Sequence, residues 1–146
     1  MGFDLYGYKN DVYYQNNVWG WRPLWRYVCS LSEDILSEDD MYMGCYNNGH
    51  HINGKKTNQI IRMLELELKT GKTEEYSKSF ETYCNTLPDE VCDWCEGTGK
   101  RVEGRCNKCE GTGKVRPFIT EYSFDTDNVR EFVEFLKTTE EGFTIF

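Results

Sequence analysis

Two stretches of this chain could hold a metal, and they repeat each other. Cys92-Asp93-Trp94-Cys95-Glu96-Gly97-Thr98-Gly99-Lys100 is followed, fourteen residues on, by Cys106-Asn107-Lys108-Cys109-Glu110-Gly111-Thr112-Gly113-Lys114. Each copy reads C-x-x-C-x-G-x-G. A C-x-x-C turn sets two thiols on one side of a tight bend. One such turn also fits a redox pair, whereas two supply the four soft ligands of a closed tetrahedral zinc site. Cys92, Cys95, Cys106 and Cys109 are therefore the expected ligands of one structural Zn2+. Gly97, Gly99, Gly111 and Gly113 can take positive φ, which lets backbone amides approach the sulfurs.

The residues between the ligands carry a second kind of chemistry. Trp94 and Lys108 occupy knuckle positions, and Arg101, Val102 and Arg105 lie in the intervening loop. A four-cysteine site leaves no ligand position open for a substrate, so these five residues are the expected contacts of a protein partner. An alternative is single-stranded nucleic acid, above all RNA. Lys100, Arg101, Arg105, Lys108, Lys114 and Arg116 form a local basic set around one indole that could stack a base. A third class is a metal- or thiol-dependent enzyme. His50 and His51 lie in a Gly/Asn loop with Cys45 five residues before His50, and Cys29 could join them around a second metal. Adjacent histidines in a polar loop more often hydrogen-bond or face water, so the chain is read as a binding protein rather than an enzyme.

Composition limits the partners further. The 146 residues suit one domain carrying a small metal module. Hydrophobic content is 38%, but ten Tyr, eight Phe and four Trp can fill a core with few residues, because each ring buries a large area. The net charge is −8, and residues 118–146 hold two basic against seven acidic side chains. Four thiolates around one zinc add about −2 more. Such a balance works against nucleic acid and suits a basic protein partner. Met1 to Asn10 has no apolar core and no long apolar run follows, so the expectation is no membrane, and the free thiols fit a cytoplasmic setting.

The elements that must position these residues read as a small α+β protein. Phe3–Tyr8 alternates like a strand. Asn16–Pro23 reads as a loop entering a helix, with Pro23 at the first helical position and Leu24, Tyr27, Val28 and Leu31 at helical spacing. Ser32–Ile35 can cap a second turn. Residues 44–54 read as loop. Thr57 is the expected N-cap of the best helix, whose stripe is Ile60, Ile61, Leu64 and Leu68, with Gly71 past its end. Thr73 is the expected cap of the next helix, which Pro88 stops. Phe118–Phe124 alternates like a strand, and Asp125 can cap a last helix facing inward through Val129, Phe132, Val133 and Leu136. The apolar tail Gly142–Phe146 should dock in a core. Trp19, Trp21 and Trp25 are core or interface rings on which Arg22 and Arg26 can stack, and a homo-oligomer built on them is an option. The expected division is an aromatic-rich α+β body over 1–90, a four-cysteine module over 91–116, and a C-terminal strand and helix over 117–146 packing back on the body.

At the doubled C-x-x-C-x-G-x-G the chain resembles the cysteine-rich domain of the DnaJ family of chaperones. That domain usually carries four copies and two zincs, so residues 92–114 look like half of it, with one zinc. The resemblance carries the ligand role to Cys92, Cys95, Cys106 and Cys109. The chain has no His-Pro-Asp tripeptide and no room for a substrate-binding β domain, so recruitment of a DnaK-type chaperone is not implied. In the module alone the chain is similar to the bacterial anti-TRAP protein, which has two copies and inhibits its partner as an oligomer. The opening, Met1-Gly2-Phe3-Asp4-Leu5-Tyr6-Gly7 with Tyr14–Trp25, is similar to the start of small uncharacterised phage and bacterial proteins. The resulting expectation is a phage- or bacterium-encoded inhibitor or adaptor acting on a host protein.

Overall fold

The computed structural model describes residues 1–9 and 11–146. In chain order the elements are β1 (Gly2–Gly7), β2 (Tyr13–Asn17), α1 (Val18–Leu31), α2 (Glu38–Met43), β3 (His50–Asn53), α3 (Gly54–Lys69) and α4 (Lys72–Thr86). Then come the two-residue strands β4 (Glu90–Val91), β5 (Lys100–Arg101), β6 (Gly104–Arg105) and β7 (Lys114–Val115), a 3-10 turn at Phe118–Glu121, α5 (Thr126–Lys137) and β8 (Gly142–Ile145). The fold class is α+β. The chain divides into two units, one of Met1–Phe80 with Tyr122–Phe146 and one of Glu81–Glu121.

The first unit is an antiparallel sheet with helices on one face. Its strand order is β2-β1-β8-β3, so the apolar tail docks as an inner strand between β1 and β3. Strand alternation sorts the faces. Phe3 and Leu5 of β1, Phe143 and Ile145 of β8 and Ile52 of β3 are buried beside α1, α3 and α5. The other face carries half-exposed Tyr6 and Tyr13, their rings 5.1 Å apart. The stripes expected for α3 and α5 face the core as a 3.6-residue period requires: Ile60, Ile61 and Leu64 are buried in one, with Leu68 partly buried at its end, and Val129, Phe132, Val133 and Leu136 in the other.

α1 departs from expectation in a way that explains itself. Asn17 caps it by accepting from the Gly20 amide at 2.9 Å, which starts the helix at Val18 and leaves Pro23 inside rather than at the first position. A proline there has no N–H for the carbonyl four residues back. That carbonyl, Trp19, accepts from the Ser123 amide at 3.4 Å instead. Trp21 and Trp25 are buried and stacked 5.4 Å apart, and their indole N–H groups donate to the carbonyls of Gly44 and Met41 at 2.8 and 3.0 Å. The partly exposed Trp19 packs on Tyr122 at 5.1 Å.

Other departures share one cause, which is that partners distant in sequence override local composition. Asn16–Asn17 belongs to β2, and residues 50–53 form β3 rather than loop, because the edges of β1 and β8 offer backbone partners. Asn53, not Thr57, caps α3 by accepting from Lys56 N at 2.9 Å, while Thr57 is buried one turn in. Thr73 does not cap α4; its hydroxyl is buried 3.0 Å from that of Tyr27. The turn after α1 closes through the Ser32 carbonyl, which accepts from Ile35 N at 2.9 Å, and the capping box sits at Ser37 and Asp40. Asp40 also accepts from His50 Nε2 at 2.9 Å and from Lys56 Nζ, tying α2 to β3 and α3. No strand forms over 118–124. Pro117 removes a ladder donor, its carbonyl takes the Thr120 amide at 2.9 Å to close the 3-10 turn, and Phe118 stays exposed.

Candidate metal centre

Each C-x-x-C-x-G-x-G copy folds into the same knuckle. In the first, Gly97 N donates to Cys92 O at 3.2 Å and Thr98 N to Cys95 O at 3.0 Å; in the second, Gly111 N donates to Cys106 O and Thr112 N to Cys109 O, both at 3.1 Å. Glu96 and Glu110 match at φ 53° and 52°, and the glycines after them at 84° and 83°. The last glycine of each motif has the decisive role. Gly99 N and Gly113 N donate to the Sγ of Cys95 and Cys109, each at 3.2 Å. A Cβ on Gly99 would sit 2.4 Å from Gly111 O, and one on Gly113 2.3 Å from Gly97 O. Neither position tolerates a side chain, because the copies lock backbone to backbone there.

The copies are related as an approximate two-fold pair. β4 precedes the first and pairs with β7 after the second; β5 follows the first and pairs with β6 before the second. Cys92 N donates to Gly113 O at 2.9 Å and Cys106 N to Gly99 O at 3.0 Å, so each knuckle begins on the other's last glycine. Arg116 then ties down the C-terminal end of α4, donating to the carbonyls of Cys84 and Leu87 at 2.7 and 2.8 Å and pairing with Asp89 at 3.0 Å.

This scaffold brings together all four expected ligands. Cys92, Cys95, Cys106 and Cys109 are buried, and their sulfurs lie within 4.8 Å of one another. The Cys92–Cys106 and Cys95–Cys109 sulfurs are 3.9 and 3.7 Å apart. Thiolates about 2.3 Å from one tetrahedral ion sit about 3.8 Å from each other, so these separations fit a shared metal such as zinc. They are far from the roughly 2.05 Å of a disulfide. Desolvation opposes ionisation, but the Gly113 amide and the neighbouring cysteines bring the Cys109 thiol down to about 6. Cys95 is lowered in the same way, against its desolvation, by the Gly99 amide, while desolvation raises Cys92. Two of the four donors are thus biased toward the thiolate that a metal needs. Comparison of the chain with family models, curated proteins and solved structures found no match.

The five residues expected to touch a partner lie on the outside of these knuckles. Trp94 is 54% exposed, with the Arg101 guanidinium and the Lys108 ammonium each 5.4 Å from its ring. Trp94, Arg101, Val102 and Arg105 line one open groove of about 280 Å3, and Val102 is fully exposed. Two features were not readable from the sequence. Lys108 is held by Asp93 at 2.5 Å, across the two copies. Arg105 Nε donates to Glu110 O at 2.8 Å, so its fork is oriented by the second knuckle.

The histidine loop does not assemble a comparable site. Among the described residues, Cys92, Cys95, Cys106 and Cys109 form the only group of three or more converging His, Cys or carboxylate ligands. His50 is taken by Asp40, and His51 Nδ1 lies 3.4 Å from Thr144 Oγ1 with its ring 4.9 Å from that of Tyr8. The Cys45 thiol points to Met41 O at 3.5 Å. Burial pushes Cys29 up to about 12 and also raises Cys45, so neither thiol is primed as a nucleophile.

No helix among the described residues is long and apolar enough to cross a membrane.

Proposed function

We propose that this chain is a zinc-binding protein-interaction module, encoded by a phage or bacterium and acting in the cytoplasm as an inhibitor or adaptor on a host protein. One structural Zn2+ is held by Cys92, Cys95, Cys106 and Cys109, and the partner is met by Trp94, Arg101, Val102, Arg105 and Lys108. The observation that carries this reading is an indole 54% exposed between two cations, on a knuckle whose only buried cluster is four cysteines. Leaving a large ring in water is unfavourable, and aromatic and Arg side chains dominate binding energy at interfaces. The metal fixes the backbone under these side chains, so little ordering remains to be done on association. No step of catalysis is assigned. The resemblance of the doubled motif to DnaJ-type modules, and of the opening to phage and bacterial proteins, is consistent with a short adaptor of this kind. The test is affinity capture from the host with wild type and with Trp94→Ala/Arg105→Ala. A partner held by wild type and lost by the variant supports the reading; equal capture by both removes it.

A second reading, single-stranded RNA binding, draws on the same indole, because a ring flanked by Arg101 and Lys108 can stack a base while the cations meet phosphates. Binding of this kind weakens as salt rises. A titration with single-stranded RNA that is absent or insensitive to salt excludes it.

A further inference from the structure

A second cleft, in the unit of residues 1–80 and 122–146, is lined by two arginines and no carboxylate. It has a volume of about 380 Å3 and is lined by Arg22, Trp25, Arg26, Cys29, Met41, Cys45 and Tyr46. The chain carries 25 acidic against 17 basic side chains, yet no carboxylate lines this cleft. Three other clefts contain carboxylates, among them Glu90, Glu103 and Asp125.

Its two cations are free to act together. Arg22 and Arg26 lie one helical turn apart on the exposed face of α1, a spacing that puts both guanidinium groups over the same opening. Among the described residues neither forms an ion pair within 4.0 Å, and Arg22 Nη1 makes only a long 3.4 Å contact to the Tyr122 hydroxyl. Both arginines line the cleft together with Cys45, where burial raises the thiol and the two guanidinium groups pull it back down. The remaining lining is apolar or uncharged: indole, thioether, phenol and two thiols that burial keeps protonated.

We propose that this cleft binds a small phosphate monoester, with the phosphoryl group between Arg22 and Arg26 and an aromatic or apolar body against Met41 and Tyr46. Guanidinium forks match phosphate oxygens bidentately, and two of them suit a dianion better than a single carboxylate. No further Lys or Arg lines the cleft, so it offers a place for one phosphoryl group rather than a nucleic-acid strand. The volume is that of a small-molecule site.

The test uses the full chain and phenyl phosphate as the probe, read by mass-mapped alkylation of Cys45 with iodoacetamide. Cys84, in the other unit, is the internal reference. Millimolar phenyl phosphate should slow alkylation of Cys45 and leave Cys84 unchanged; phenol should protect neither. Inorganic phosphate should protect only at concentrations about tenfold higher, since it lacks the apolar body. Arg22→Gln/Arg26→Gln, both at exposed positions, should keep the far-ultraviolet circular dichroism of wild type and lose protection. Arg26→Lys, which keeps the charge without the fork, should weaken it about tenfold. The proposal is overturned if phenyl phosphate leaves the Cys45 rate unchanged, if phenol protects equally, or if the double glutamine variant is protected like wild type. Equal potency of inorganic and phenyl phosphate would contradict the role of Met41 and Tyr46.

Discussion

Among the described residues, 1–80 with 122–146 bury twenty apolar side chains in one cluster, including Trp21, Trp25, Phe132 and Phe143; in residues 81–121 the buried cluster is four cysteines with Val115 packed beside them. The first unit has enough apolar area to offset its conformational entropy, because its rings interlock and its indole N–H groups find carbonyls. The second has a length at which chains of about 40 residues usually need a metal or disulfides, and its strands are two residues each. In the place of a core there are four converging sulfurs, two of which accept backbone amides. One part of the molecule is thus stable through packing. The other, on the proposed reading, is stable through coordination.

That contrast can be broken from either side. The largest effect should come from Cys106→Ser, which leaves three thiolates and forfeits a share of a coordination energy on the order of 10 kcal/mol. Amide protection in 81–121 should vanish while the near-ultraviolet signal of Trp21 and Trp25 stays. Trp21→Ala should do the reverse. It removes a buried ring from the centre of the cluster and costs about 3–5 kcal/mol in thermal or urea unfolding, with metal content unchanged. Gly113→Ala sharpens the comparison, because the substitution touches no ligand. Its Cβ would meet Gly97 O at 2.3 Å and misaim the amide that serves Cys109, so competition with a chelator should reveal metal affinity lower by roughly a hundredfold.

A smaller effect belongs to the packed unit and to acid. Burial works against the Asp40 charge, but the Lys56 ammonium, the Ser37 amide and His50 hold the carboxyl at about 2, below its ordinary 3.8. A folded value below the unfolded one stabilises above pH 3.8, and that contribution is lost as pH falls from there toward 2. The gap corresponds to about 2 kcal/mol. Urea unfolding of Asp40→Asn should therefore show a flatter dependence between pH 5 and pH 2 than wild type, at roughly the stated magnitude. Trp94→Ala should have the smallest effect on stability, within about 0.5 kcal/mol, because the indole is exposed; its loss should be felt in partner capture alone.

What could be read from the sequence follows the range of the signal. The ligands were legible because the C-x-x-C-x-G-x-G pattern packs donors, turn and amides into eight consecutive residues. α3 and α5 were legible because their stripes repeat every turn, and the tail because five residues so apolar are costly in water. β3 was not, since His50–Asn53 becomes a strand only when β8 arrives from ninety residues away. The alternation of Phe118, Thr120, Tyr122 and Phe124 misled for the converse reason: the period is present, but Pro117 and the absence of a pairing edge leave a 3-10 turn. The position of Pro23 was missed because the donor that makes it tolerable, Ser123 N, lies a hundred residues on. At the site, Asp93 and Lys108 belong to different knuckles, and only their two-fold arrangement makes them a pair. The cation pair Arg22 and Arg26 was visible, but not the acid-free cleft beneath it.

Whether one metal ion stands in for a core in residues 81–121 is tested directly by hydrogen exchange with mass spectrometry on the intact chain, before and after a zinc chelator. With one zinc per chain by elemental analysis at the start, chelation should abolish protection at the amides of Gly99, Cys106 and Gly113 while the strands β1 and β8 keep theirs. Protection in 81–121 that survives complete removal of the metal, or a purified chain that carries none and is protected there all the same, would contradict that role for the metal.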